Sequence, residues 1–160
     1  MDQPRYYMGI ALEEAKKAFE EGEVPVGAVV VRGGDIVGRG HNRVETDKDP
    51  TAHAEILAIR QAARTLGGWR LSDCDLYVTV EPCAMCAGAI VLSRIDRLFV
   101  GAPDPKAGAC FSVNHLVTDS RLNHRVELFT GVLEEECRQL MRRFFRRLRK
   151  SCPALEEPQE

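Results

Sequence analysis

Between Pro4 and Gly22 the apolar residues Met8, Leu12, Ala15 and Phe19 recur at intervals of three and four, the spacing that lines one face of a helix. Gly22 supplies the stop. The pattern then changes. VPVGAVVV (24–31) is a continuous apolar run, RGGD (32–35) is a tight turn built on two glycines, and IVGRGHN (36–42) returns as a second strand, so this stretch predicts a hairpin. Helical spacing resumes in KDPTAHAEILAIRQAARTLGG (48–68): Asp49 is placed to cap, Pro50 suits the first helical position, Ile56, Ile59 and Ala63 share a face, and Gly67 with Gly68 ends the element. DLYVTV (75–80) predicts a strand, PCAMCAGAIVLSR (82–94) a helix with Pro82 at its start, RLFVGA (97–102) a strand, and RVELFT (125–130) a short strand. The loop before that last strand runs to about 25 residues, a length that usually carries function or hides a helix. A final helix aligns Leu133, Cys137, Leu140, Met141, Phe144 and Leu148 in one stripe. Helix, hairpin, then alternating helix and strand predicts an α/β layer fold, a mixed sheet with helices on its faces.

Length and composition narrow the class. At 160 residues, with 44% hydrophobic and 29% charged residues, the chain suits one globular domain over residues 1–150, with a flexible tail over 151–160. The N-terminal stretch mixes acids and bases through its apolar positions, unlike a signal peptide, and no apolar run approaches a membrane span, so the cytoplasm is the expected compartment and no membrane partner is expected. In that compartment six cysteines are expected as thiols or metal ligands rather than as a disulfide framework. The net charge of −2 argues against a nucleic-acid partner until its distribution is considered. RRFFRRLRK (142–150) holds six basic residues and no acid, which leaves −8 on the remainder.

The cysteines in PCAMC (82–86) fall at i and i+3 in the first turn of a predicted helix, so both sulfurs point to one side, and a helix N-terminus favours thiolate over thiol. By itself this spacing serves a disulfide, a redox pair, a structural zinc clip or a catalytic metal site equally well. The discriminating feature lies upstream. His53 with Cys83 and Cys86 makes three protein ligands for zinc and leaves the fourth tetrahedral position open, as catalytic sites do. Glu55, two residues from His53, points away from it on a helix and is placed to face the metal's water as a proton carrier. A four-cysteine clip would need two of Cys74, Cys110, Cys137 and Cys152, none of which forms a second close pair; those four are read as core or surface thiols. H-x-E followed by P-C-x-x-C is the ordered signature of the zinc deaminases, and HAE (53–55) with PCAMC matches both parts.

EVPVGAVVV, GHNR, DPTAHAEI, LYVTVEPCAMCAGAI, SRIDRLFVGAPDPKAGA, LNHRVE, GVLEEEC and FFRRLRK together resemble the bacterial tRNA adenosine deaminases, over nearly the whole chain. DPTAHAEI and PCAMC are shared with guanine deaminases and other relatives, whereas GAPDPKAGA, LNHRVE and the basic end are more particular to the tRNA enzymes. The resemblance implies a three-layer α/β/α cytidine deaminase-like fold with a central mixed sheet of about five strands. It implies hydrolytic conversion of the wobble adenosine to inosine in a tRNA anticodon stem-loop, one zinc per chain on His53, Cys83 and Cys86, and Glu55 as catalytic proton shuttle. It also implies that Asn42 bonds the flipped base, that Asp104 and Lys106 meet the RNA backbone, and that the protein is a homodimer. Cys110 and Phe111 stand where relatives often carry small residues, which bears on loop shape. On local grounds Asp104 and Lys106 suit a solvated Pro-rich loop equally well.

The basic end has a simpler reading as well, since Glu134, Glu135 and Glu136 open its helix and arginines close it, complementing the helix dipole. There are more arginines than that role needs. Phe145 falls at the edge of the apolar stripe beside Arg138, Arg142 and Arg149, an aromatic among cations suited to a stacked base, and Arg146 and Arg149 are read with it as RNA contacts. The competing readings are a small-molecule deaminase acting on guanine or cytidine and a zinc-stabilised RNA-binding module; the basic end argues against the first and Glu55 against the second.

Overall fold

The computed structural model describes residues 2–151. Helix α1 (Gln3–Glu20) starts at Asp2, whose carboxylate accepts the Arg5 N–H at 3.4 Å, and ends where Gly22 takes a φ of 77°. Strands β1 (Gly27–Arg32) and β2 (Asp35–His41) form the expected hairpin about Gly33 and Gly34, both at positive φ. A short helix α2 (Val44–Asp47) that the periodicity does not predict follows, then α3 (Ala54–Leu66), β3 (Cys74–Val80), α4 (Ala84–Leu92), β4 (Arg97–Ala102), β5 (Glu127–Phe129) and α5 (Glu134–Ser151). The segment between β4 and β5 contains turns and no helix.

The strands lie in the order β2-β1-β3-β4-β5. β1 pairs antiparallel with both β2 and β3, whereas β3, β4 and β5 run parallel, so the sheet is mixed and five-stranded as expected. Alternation along the buried strands divides the core. Ala28, Val30, Leu76, Val78, Leu98 and Val100 face α3 and α4; Val29, Val31, Tyr77 and Phe99 face α1 and α5. This is the three-layer α/β/α arrangement. Of the predicted stripe on α5, Cys137, Leu140 and Phe144 are buried, but Leu148 is 46% exposed, because it faces open space between elements rather than the core.

The close seating of α3 depends on glycine. A Cβ at Gly40 would overlap the Ala54 carbonyl, and one at Gly38 the Ala58 carbonyl, so Gly40→Ala would push α3 off the sheet, an overpacking that costs about 1–3 kcal/mol. The helix end brought down in this way carries His53 and Glu55. Asp49, Pro50 and Pro82 do not start the helices as the sequence predicts. Asp49 does not cap α3; its carboxylate takes the Thr51 N–H and hydroxyl at 2.8 and 2.7 Å, forming a turn that delivers the chain to His53, the actual N-cap. Pro50 and Pro82 both lie outside their helices, α4 beginning at Ala84 with Cys83 as N-cap. The expected tail from residue 152 onward lies outside the described residues.

Candidate metal centre

Both helices on one face of the sheet begin at the same place, beside the carboxyl end of β3. His53 and Cys83 are their N-caps, and Cys86 sits one turn into α4. The His53 Nδ1 lies 3.6 Å from the Cys83 Sγ and 3.4 Å from the Cys86 Sγ, and all three donor atoms fall within 4.8 Å of one another. Ligands at ordinary Zn–N and Zn–S bond lengths in a tetrahedron stand about 3.6 Å apart, so the trio fits zinc closely. The Cys86 thiol hydrogen-bonded to it holds the Cys83 thiol down at about 5, while that same bond and burial push Cys86 upward. Thiols must be deprotonated to ligate, so metal binding would release the protons that this pair holds.

Glu55 is buried and stands outside the ligand trio. Burial pushes its carboxyl above the ordinary value, against opposing pulls from its own backbone amide, His53 and Cys86. Burial thus favours the protonated form of a group whose task is to take up and give back a proton.

The centre opens into a cavity of about 600 Å³, large enough for a nucleobase, lined among others by Asn42, His53, Glu55, Cys83, Asp104 and Phe145. Asn42 also serves locally, its amide donating to the Val24 carbonyl at 3.3 Å and its oxygen accepting the Val44 N–H at 3.4 Å. Asp104 likewise accepts the Lys106 and Ala107 N–H groups, so its loop role and its place at the cavity coexist. Lys106, Arg146 and Arg149 do not reach the cavity. They line an adjoining groove of about 860 Å³ with Arg138, Arg142 and Phe145. Met141, Phe145 and Leu148 line both spaces. Cys74, Cys110 and Cys137 are buried thiols that are not members of the trio.

Two acids at the cavity wall, Glu23 and Glu81, carry no motif in the sequence. Glu23 is buried and accepts the Glu45 and Thr46 N–H groups at 3.1 and 2.8 Å, fixing α2. Glu81 accepts N–H groups from Asp104, Cys110, Phe111 and Ser112; burial opposes its ionisation, yet these bonds and the Ser112 hydroxyl hold its carboxyl below the ordinary range. The one signal available was position: each is an acid beside an apolar run, GEVPVG and VTVEPC, where a buried charge needs partners.

The MafB19-like deaminase family model matches residues 1–149. The chain is 52% identical to the tRNA-specific adenosine deaminase of Bacillus subtilis (strain 168), over 94% of this chain and 93% of that protein. It belongs to the tRNA-specific adenosine deaminase family. A solved structure from a study of A-to-I editing by tRNA:A34 deaminases at the wobble position is 45% identical, with a TM-score of 0.81 over 84% of this chain and 98% of that one. The guanine deaminase of Bacillus subtilis is 42% identical, with a TM-score of 0.61 over 64% of this chain and 66% of that one. The cytidine deaminase-like fold of this deaminase family thus carries the centre described above.

Proposed function

We propose that the protein deaminates adenosine at the wobble position of a tRNA anticodon, water and adenosine giving inosine and ammonia. The observation that carries this reading over a small-molecule deaminase is the shared wall: the cavity over the His53–Cys83–Cys86 trio and the arginine-lined groove are joined through Met141, Phe145 and Leu148. A free base has no use for that groove, whereas an RNA loop that inserts one flipped nucleotide uses both spaces.

His53 Nδ1 and the two sulfurs would hold one zinc ion. Bound zinc supplies a Lewis acid that makes water nucleophilic near neutral pH. The chain's own residues do the rest. Glu55 takes one proton from the attacking water and passes it to the ring nitrogen beside C6, then takes the second from the hydroxyl now on C6 and delivers it to the departing amino group, so the C–N bond breaks, ammonia leaves, C6 becomes a carbonyl carbon and Glu55 returns to its starting state. In this reading Asn42 bonds the flipped base and Asp104, at the cavity wall, meets the RNA backbone. Phe145 offers a stacking face, while Lys106, Arg146 and Arg149 meet phosphates.

The active unit is a homodimer in this reading. The outer stripe of α4, Met85, Gly88, Ala89 and Leu92, is apolar at helical spacing, with Leu92 70% exposed, and a second copy would cover it. A tRNA substrate and the unbridged thiols of the described residues favour the cytoplasm; no described helix is long and apolar enough to cross a membrane. Residues 1–150 act as one deaminase domain. Supplying purified protein with a wobble-adenosine stem-loop, guanine and cytidine in parallel tests the assignment. Turnover of the stem-loop is expected. Turnover of guanine or cytidine alone would assign the small-molecule reading instead.

A further inference from the structure

Glu81 immediately follows the last residue of β3, directly before Pro82 and Cys83, and is 3% exposed. An isolated carboxylate in such a place is costly unless donors surround it. Its donors all come from one loop. Oε1 accepts the Asp104 N–H at 3.0 Å and the Ser112 hydroxyl; Oε2 accepts the N–H groups of Cys110, Phe111 and Ser112 at 3.1, 2.9 and 3.0 Å. The loop therefore wraps the carboxylate, and only a loop of that shape satisfies it. Gly108 completes the fit, because a Cβ there would overlap the Glu81 carboxylate. The Ala109 N–H donates to the Pro82 carbonyl at 2.9 Å, so the same loop is tied to the turn that enters α4.

We propose that Glu81 is a positioning residue that clamps residues 104–112 against the turn carrying Cys83, holding Asp104 and Lys106 in register with the metal centre for the incoming substrate. The clamp is a property of the fold; its effect on RNA rests on the tRNA deaminase reading. Glutamine cannot replace the carboxylate. It offers one acceptor oxygen, so its NH₂ group must face an N–H donor on one side or the other.

The test compares wild type, Glu81→Gln, Glu81→Ala and Gly108→Ala, each loaded with zinc. Three quantities are measured: amide hydrogen exchange at Asp104, Cys110, Phe111 and Ser112; zinc content; and kcat and KM on a wobble-adenosine stem-loop. Glu81→Gln is expected to lose protection at those amides by about tenfold or more while keeping its zinc. KM should rise by about tenfold, with kcat falling less. Gly108→Ala should reproduce this by displacing the carboxylate, and adding it to Glu81→Ala should change nothing further, since the methyl then occupies vacated space. If Glu81→Ala does not fold, the other two variants carry the test. Unchanged exchange in Glu81→Gln, or a loosened loop with unchanged KM, overturns the proposal. So does a fall in zinc and kcat at constant KM, which would make Glu81 a support of the metal centre alone. Should the wild type convert guanine and not the stem-loop, the functional reading fails separately, and the exchange data still decide the clamp.

Discussion

Replacing Glu55 with glutamine separates proton transfer from metal binding and from folding. The side chain is 3% exposed, at the floor of the cavity, and is not one of the three clustered donors, so Glu55→Gln keeps volume and leaves the ligand set intact. Zinc content should stay at that of the wild type. Turnover should not, because an amide cannot carry the proton. Loss of a general acid/base costs about 10²–10⁴ in rate, or about 3–5 kcal/mol of barrier, and a group serving successive transfers falls at the upper end. Stability should move the other way in the metal-free protein. Burial raises the Glu55 carboxyl above its ordinary value of 4.5. Folding thus favours the protonated form, and the stability this group contributes is present below 4.5 and lost as pH rises through the raised value. At pH 7 its ionisation works against the fold, so metal-free Glu55→Gln should melt at or above the wild type, with the difference closing under acid. Single-turnover assays on the stem-loop, metal analysis and thermal melts over a pH series measure all three quantities. Near-wild-type turnover in Glu55→Gln, or loss of its zinc, would refute the assignment of Glu55 as shuttle rather than ligand.

The metal trio, the basic groove and the dimer each have their own test. His53→Ala, Cys83→Ala and Cys86→Ala should each lose zinc while Cys110→Ala keeps it; metal loss from Cys110→Ala alone would move the centre elsewhere. Reversing Arg146 and Arg149 to Glu should weaken RNA binding and lower the magnitude of its salt slope by roughly 0.7–0.9 logarithmic units for each phosphate no longer neutralised, with zinc content unchanged, as a salt series would show. Leu92→Glu should turn a sedimenting dimer into a monomer, and an unchanged sedimentation coefficient would place the second copy on another face.

The periodic elements were legible because spacing determines which face is buried. The α1 stripe, the hairpin with its two glycines and the mixed five-stranded sheet all follow from residue patterns that report local geometry. The clustering of His53, Cys83 and Cys86 was legible for a related reason: three strong ligands of two types, ordered as H-x-E and P-C-x-x-C, admit few other uses. The structure departs from the pattern where a residue had two outlets for its hydrogen bonds. Asp49 looked like a helix cap and instead bonds Thr51 two residues on, which leaves His53 as the cap and hence as a side chain aimed outward from the helix end. Glu23 and Glu81 carry no motif because, the Ser112 hydroxyl apart, their partners named above are backbone amides of distant segments, Glu45–Thr46 and 104–112, and amides leave no trace in side-chain identity. Gly40 and Gly108 are comparable: sequence shows a missing side chain but not the carbonyl or carboxylate occupying its place. Leu148 fits the stripe by period, yet it lines the cavity and groove instead of the core, and what faces a helix is a tertiary property.

The most direct test of a hydrolytic wobble deaminase is to map product oxygen along the RNA. A full-length tRNA with adenosine at the wobble position is incubated with zinc-loaded protein in ¹⁸O-labelled water, then digested and read by mass spectrometry. The account predicts inosine at that one position, carrying the heavy oxygen, with every other adenosine unchanged. Unaltered tRNA beside conversion of guanine to xanthine by the same preparation would contradict it.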